Sequence, residues 1–122
     1  MDFEKADDVS QLTSAIIDKL NRDFLVKEQI YCVRSHGSKT RAYARIWGLS
    51  RIFQITAGYK PTYVIEVLSK YFDKLSDKEK VNVIIHELMH IPKTFSGALL
   101  SHRGRYHRIN SKEVDKIYDA IY

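Results

Sequence analysis

His86-Glu87-Leu88-Met89-His90 is the stretch from which the rest of the chain is read. Residues four apart share one face of a helix, so His86 and His90 can grip one metal ion from adjacent turns. Glu87 falls about 100° around the helix from His86, on the flank of that face. Its carboxylate can reach a water beside the metal without being a ligand. Upstream, Ser76 and Glu79 have capping-box spacing, and Asp77 adds negative charge where a helix N-terminus favours it. Val81, Ile84, Ile85, Leu88 and Ile91 recur as an apolar stripe opposite the two histidines. The spacing predicts a helix from about Asp77 to Ile91, ended by Pro92, with one side for the core and the other for chemistry.

Catalytic zinc takes three protein ligands and keeps one position for water. With no Cys-x-x-Cys pair, the third donor must be histidine or carboxylate. His102 and His107 follow the helix in a loop from Pro92 to Ile109, and Glu113 opens the last helix. A metzincin would need histidine at Ser96 and glycine at Lys93, which excludes that class. Gly97 lets the chain turn back toward the helix. The preferred donor is His102, then His107, then Glu113, whose spacing from Asn110 is that of a second capping box. Arg103, Arg105, Tyr106 and His107 are the neighbours from which an oxyanion donor would come.

Around this helix the pattern is α+β. Asp8 to about Phe24 reads as an N-terminal helix, capped by Asp8 with Gln11 and apolar at Leu12, Ile16, Ile17, Leu20 and Phe24. Strands are expected over Gln29–Ser35, Thr40–Trp47 and Thr62–Ser69, forming a short, mostly antiparallel sheet of about three strands. In the second strand, Ala42, Ala44 and Ile46 share one face; Arg41, Tyr43, Arg45 and Trp47 share the other. The third carries Tyr63, Ile65 and Val67 on one face. Leu49 to Ala57 is ambiguous, and Tyr71 to Leu75 suggests a helical turn. Val114, Ile117, Tyr118 and Ile121 give a C-terminal helix its buried stripe.

A chain of 122 residues, 44% hydrophobic and 29% charged, suits one domain spanning 1–122. No apolar run is long enough to span a membrane, and Met1-Asp2-Phe3-Glu4 does not open a signal segment. Cys32 is the only cysteine, so no internal disulfide forms and a cytoplasmic setting is expected. The net charge is +5, with Arg34, Lys39, Arg41, Arg45 and Arg51 in mid-chain and Arg103, Arg105 and Arg108 after the motif. Such groups can attract nucleic acid, but a solvated surface is the favoured reading. Oligomeric state is not legible from these features.

Arg34-Ser35-His36-Gly37-Ser38-Lys39, Ala44-Arg45-Ile46-Trp47-Gly48-Leu49, Tyr63-Val64-Ile65-Glu66-Val67 and the run from His86 to Gly97 together resemble a family of small metallopeptidases from archaea and phages. The likeness runs from about residue 30 to the end. It implies a zincin-like fold, with His86, His90 and His102 as zinc ligands, Glu87 as catalytic acid/base, and a peptide or protein as substrate. Ala98-Leu99-Leu100-Ser101 departs from the family's approach to that third histidine, which concerns the shape of the loop. The chain also looks distantly like SprT-type proteases, which act on DNA-bound proteins. The rival expectation is therefore a nucleic-acid-associated module with a structural or vestigial metal site.

Overall fold

The computed structural model describes residues 2–102 and 108–122. Strands β1 (Asp2–Lys5), β2 (Ile30–His36), β3 (Ala44–Gly48) and β4 (Tyr63–Leu68) form one sheet in the order β1-β2-β4-β3. Helices are α1 (Asp7–Leu20), α2 (Arg51–Ala57), α3 (Ser69–Phe72), α4 (Asp77–Leu88) and α5 (Ser111–Ile121). No described helix is long and apolar enough to cross a membrane.

The sheet has four strands rather than about three. β1 and β2 are antiparallel, β2 and β4 parallel, and β3 and β4 antiparallel, so the mostly antiparallel expectation holds for two pairings of three. The strand unseen in the sequence is β1: four exposed residues, three of them charged, held by pairing with β2. Charged side chains on a sheet edge discourage further strands from adding.

One face of the sheet makes the core. Ile30, Cys32, Tyr63, Ile65 and Val67 project to it and meet Ile16, Ile17, Ile84, Ile85 and Leu88 from α1 and α4. α1 packs on β2, α4 on β3 and on α1, and α5 on α4. Cys32 is buried with Thr13 Oγ1 at 3.4 Å, and burial pushes its thiol pKa up, which makes it core material rather than a nucleophile.

Element ends differ from the sequence reading where tertiary partners intervene. α1 stops at Asn21, in the left-handed conformation at φ 52°, not at Phe24. Asp8 does not cap it. Its carboxylate instead takes two hydrogen bonds from Arg34, which also grips Asp73 below β4. The ambiguous segment 49–57 contains α2, which buries none of its residues but is anchored by Gln54. That amide donates to the carbonyls of Leu49 and Ser96, both at 2.8 Å.

Where β3 ends, the backbone of Gly48 meets the loop beyond α4. A Cβ on Gly48 would overlap the Gly97 carbonyl oxygen and crowd the Tyr63 ring. Gly58, by contrast, has φ +74° and open space around it. We expect Gly48→Ala to destabilise through contact alone, by about 1–3 kcal/mol. Gly58→Ala should cost only its backbone strain, about 1–2 kcal/mol. Urea unfolding with metal titration separates them: Gly48→Ala should also weaken metal uptake, because the displaced loop leads to His102, whereas Gly58→Ala should not.

Candidate metal centre

α4 begins as its sequence indicates. The Ser76 side chain accepts from Glu79 N–H, the Glu79 carboxylate accepts from Ser76 N–H, and Val81, Ile84, Ile85 and Leu88 are buried. Its end is tighter than expected. Regular helix stops at Leu88, and His90 and Ile91 bond back only three residues, to Glu87 and Leu88. Pro92 disfavours helical backbone at Ile91, which draws the last turn into 3₁₀ form. His86 and His90 still face the same way, with ring centroids 5.2 Å apart.

His102 comes to this face across the eleven residues that follow His90. His86 Nε2 and His102 Nε2 lie 3.1 Å apart, and the His90 and His102 ring centroids 4.6 Å apart. One ligand atom from each of the three lies within 4.8 Å of the others. Two nitrogens held at about 2.0–2.1 Å from one tetrahedral ion sit about 3.4 Å apart. The close pair therefore already fits, and the widest needs to close by rather more than an ångström. Among the described residues no other such group of donors occurs.

Four hydrogen bonds and one glycine build the return. The Tyr63 hydroxyl accepts from Gly97 N–H and donates to the Ala98 carbonyl, both at 2.8 Å. Tyr63 is fully buried, and burial pushes its phenol pKa up, so it stays a neutral donor. Gly97 holds φ +92°, where a side chain is strained. Leu100 then bonds His90 twice: its N–H donates to the His90 carbonyl at 2.7 Å, and its carbonyl accepts from His90 Nδ1 at 2.6 Å. A carbonyl can only accept, so Nδ1 carries the proton and Nε2 keeps its lone pair for a metal. Burial, then the charges of His90 and His102, hold His86 down to about 4, so its imidazole is neutral and able to ligate.

Glu87 is 7% exposed and lines a cavity of about 860 Å³ that also contains the three histidines. Burial pushes its carboxyl up to about 7. A carboxyl poised there can both take and return a proton near neutral pH. Across the cavity stand Ala44 and Ile46 of β3. In the β3–β4 register, residues 43, 45, 47 and 49 are the hydrogen-bonded ones, as the Leu49–Thr62 and Leu68–Tyr43 bonds show. The N–H and C=O groups of Ala44 and Ile46 consequently point away from the sheet, toward its open edge.

Of the other sequence candidates, Glu113 is not in the group; it pairs with Lys116 at 3.4 Å, and its N–H is capped by Asn110. His107, with Arg103, Arg105 and Tyr106, lies outside the described residues. His36 pairs with Glu4 at the opposite sheet edge. Sequence reasoning missed Tyr63, whose phenol on an otherwise aliphatic strand face was the available signal.

A family model described as "putative phage metallopeptidase" matches residues 1–122, and the chain belongs to that family. No curated protein and no solved structure matches it.

Two outcomes follow for the metal-free protein. Tyr63→Phe loses both loop bonds in the core and should cost about 1–3 kcal/mol in urea unfolding, with metal affinity falling about tenfold or more. The second concerns pH. Glu87 is raised from 4.5 to about 7, so the folded state holds an extra proton in that window and stability falls as pH rises through it. His86 is lowered from 6.5 to about 4, so there the unfolded state holds the extra proton and stability rises. The two nearly cancel in the wild type. In Glu87→Gln only the His86 rise remains, so its melting temperature should climb with pH and exceed the wild type's by several degrees at pH 8. Parallel melting curves for the two proteins across this range would refute the buried, raised carboxyl.

Proposed function

We propose that this member of the phage metallopeptidase family is a zinc-dependent, zincin-like peptidase, with His86, His90 and His102 as ligands and Glu87 as acid/base. The observation that carries the reading is the convergence of three imidazoles and one buried carboxyl on a single cavity. An all-imidazole donor set without thiolate suits zinc, and three donors leave a position open for chemistry. When bound, the ion supplies Lewis acidity, which acidifies water and polarises a carbonyl.

The chain's own groups supply the rest. Glu87, raised to about 7 by burial, takes the proton from the attacking water and returns it to the leaving amine. The outward backbone groups of Ala44 and Ile46 receive an extended peptide as an added strand, a mode that tolerates many sequences. His90, locked by Leu100, keeps Nε2 facing the cavity through the cycle.

A second reading, the nucleic-acid-associated module, draws on the outer sheet face. Tyr43 and Trp47 are each 51% exposed there, and Arg45 lies 5.3 Å over the Trp47 ring. Arg45 Nε is bonded to the buried Glu66 at 2.8 Å, so its charge is already engaged within the sheet. This makes the face a poorer phosphate binder and favours the peptidase.

The test uses protein purified without chelator, loaded with one equivalent of zinc and offered an unstructured protein and a fluorogenic peptide library. Glu87→Gln should keep the metal, by elemental analysis, and lose about 10²-fold or more in turnover. His102→Ala should lose the metal. Wild-type turnover in Glu87→Gln, or no hydrolysis by the zinc-loaded wild type, overturns the assignment. Salt-sensitive oligonucleotide binding that survives His86→Ala would support the second reading.

A further inference from the structure

We propose that the cavity continues past the histidines into a subsite for a cationic side chain, lysine or arginine, of the peptide being cut; the inference rests on the peptidase reading. About 860 Å³ is far more room than an ion and a water need. The surplus runs to the junction of α4 and α5, where Asn82, Val83, Ser111, Val114 and Asp115 line it.

The two helices give this end a definite chemistry. Asn82 precedes His86 by four residues, so it continues the metal-facing stripe about 6 Å toward the helix N-terminus. Ser111 and Asp115 are likewise one turn apart and share a face of α5. Val83 and the buried Val114 supply apolar walls between the metal end and the carboxylate. An apolar run ending in a carboxylate matches a side chain with a methylene stem and a charged head.

Asp115 is held ready rather than used up. Asn82 Nδ2 reaches its Oδ1 only at 3.5 Å, a long contact that leaves the other oxygen available. Among the described residues no cation pairs with it. Lys116 reaches Glu113 instead, and Lys78 sits over the Tyr118 ring at 5.0 Å. Holding the amide this way leaves Asn82 Oδ1 buried without a partner among the described residues, a standing cost. Among the described residues the one lining arginine, Arg45, is bonded to Glu66.

The test measures binding, without turnover, in zinc-loaded Glu87→Gln protein. Short peptides carry lysine, arginine, norleucine or glutamate stepped through each position, and affinity is read by fluorescence anisotropy. At one position the lysine and arginine peptides should bind about tenfold or more tighter than norleucine. Asp115→Asn should bring that ratio close to one, and Asp115→Lys should shift the preference to glutamate. Asp115 is exposed, so these variants are expected to fold, and melting curves check it. Equal binding of all four peptides at every position, or a lysine preference that survives Asp115→Asn, overturns the subsite. Hydrolysis by the wild type without a basic preference also sinks the subsite and leaves the peptidase standing. Absence of any hydrolysis sinks the peptidase, while the binding series still decides whether a cation subsite exists.

Discussion

The hydroxyl of Tyr63 is the contact on which the site depends. It stands on the central strand with no exposure, and its oxygen both accepts from Gly97 and donates to Ala98. Without it, residues 98–102 would be held to the rest of the fold by the Leu100–His90 bonds and by the Ile109 N–H to the His102 carbonyl. The sheet thus positions a histidine that belongs to neither sheet nor helix. Gly48 completes the arrangement by having no side chain where Gly97 approaches, and Gln54 clamps the same turn from α2. Fixing the loop that carries His102 to a packed core in this way reduces the entropy that bringing the three histidines together must overcome.

Electrostatics at the end of α4 point in one direction. A helix C-terminus carries partial negative charge, which favours a cation and disfavours a carboxylate. His86, Glu87 and His90 all occupy that end. Burial and the dipole both work against ionised Glu87, and burial holds His86 neutral. The metal-free site is therefore costly for a bare carboxylate, and His86 beside it is held neutral. A divalent ion relieves the same penalty that raises Glu87, so ion binding and carboxylate ionisation reinforce each other.

The local features were legible in the sequence because local rules decide them. The Ser76–Glu79 cap, the α4 stripe and the alternation of Tyr63, Ile65 and Val67 all appear as read. The features that escaped depend on distant partners. β1 has no strand propensity of its own and exists by pairing with β2. Asp8 has the chemistry of a cap, but Arg34 competes for it with two charge-assisted bonds. The parallel β2–β4 pairing needs β3 to be placed on the far side of β4, which spacing does not encode. Spacing alone also left His102, His107 and Glu113 open. The approach of His102 to the helix is set by Tyr63 and Leu100, neither of which carries a ligand signature.

The register of β3 matters more than its length. As an edge strand it has one neighbour, so slippage is held off on one side only. Glu66 supplies the lock: fully buried on β4, it accepts from Arg45 Nε at 2.8 Å and from Trp47 Nε1 at 2.9 Å. Burial alone would raise its carboxyl, but Arg45 and Trp47 outweigh that and keep it below the usual range, hence ionised. A buried ion pair is weak ground for stability and better suited to specifying one arrangement. Here a slip by one residue would turn Arg45 and Trp47 onto the core face and Ala44 and Ile46 outward. It would also exchange which backbone groups point to the open edge. The Glu66 lock therefore selects the register in which Ala44 and Ile46 line the cavity and their unpaired backbone groups point to the open edge.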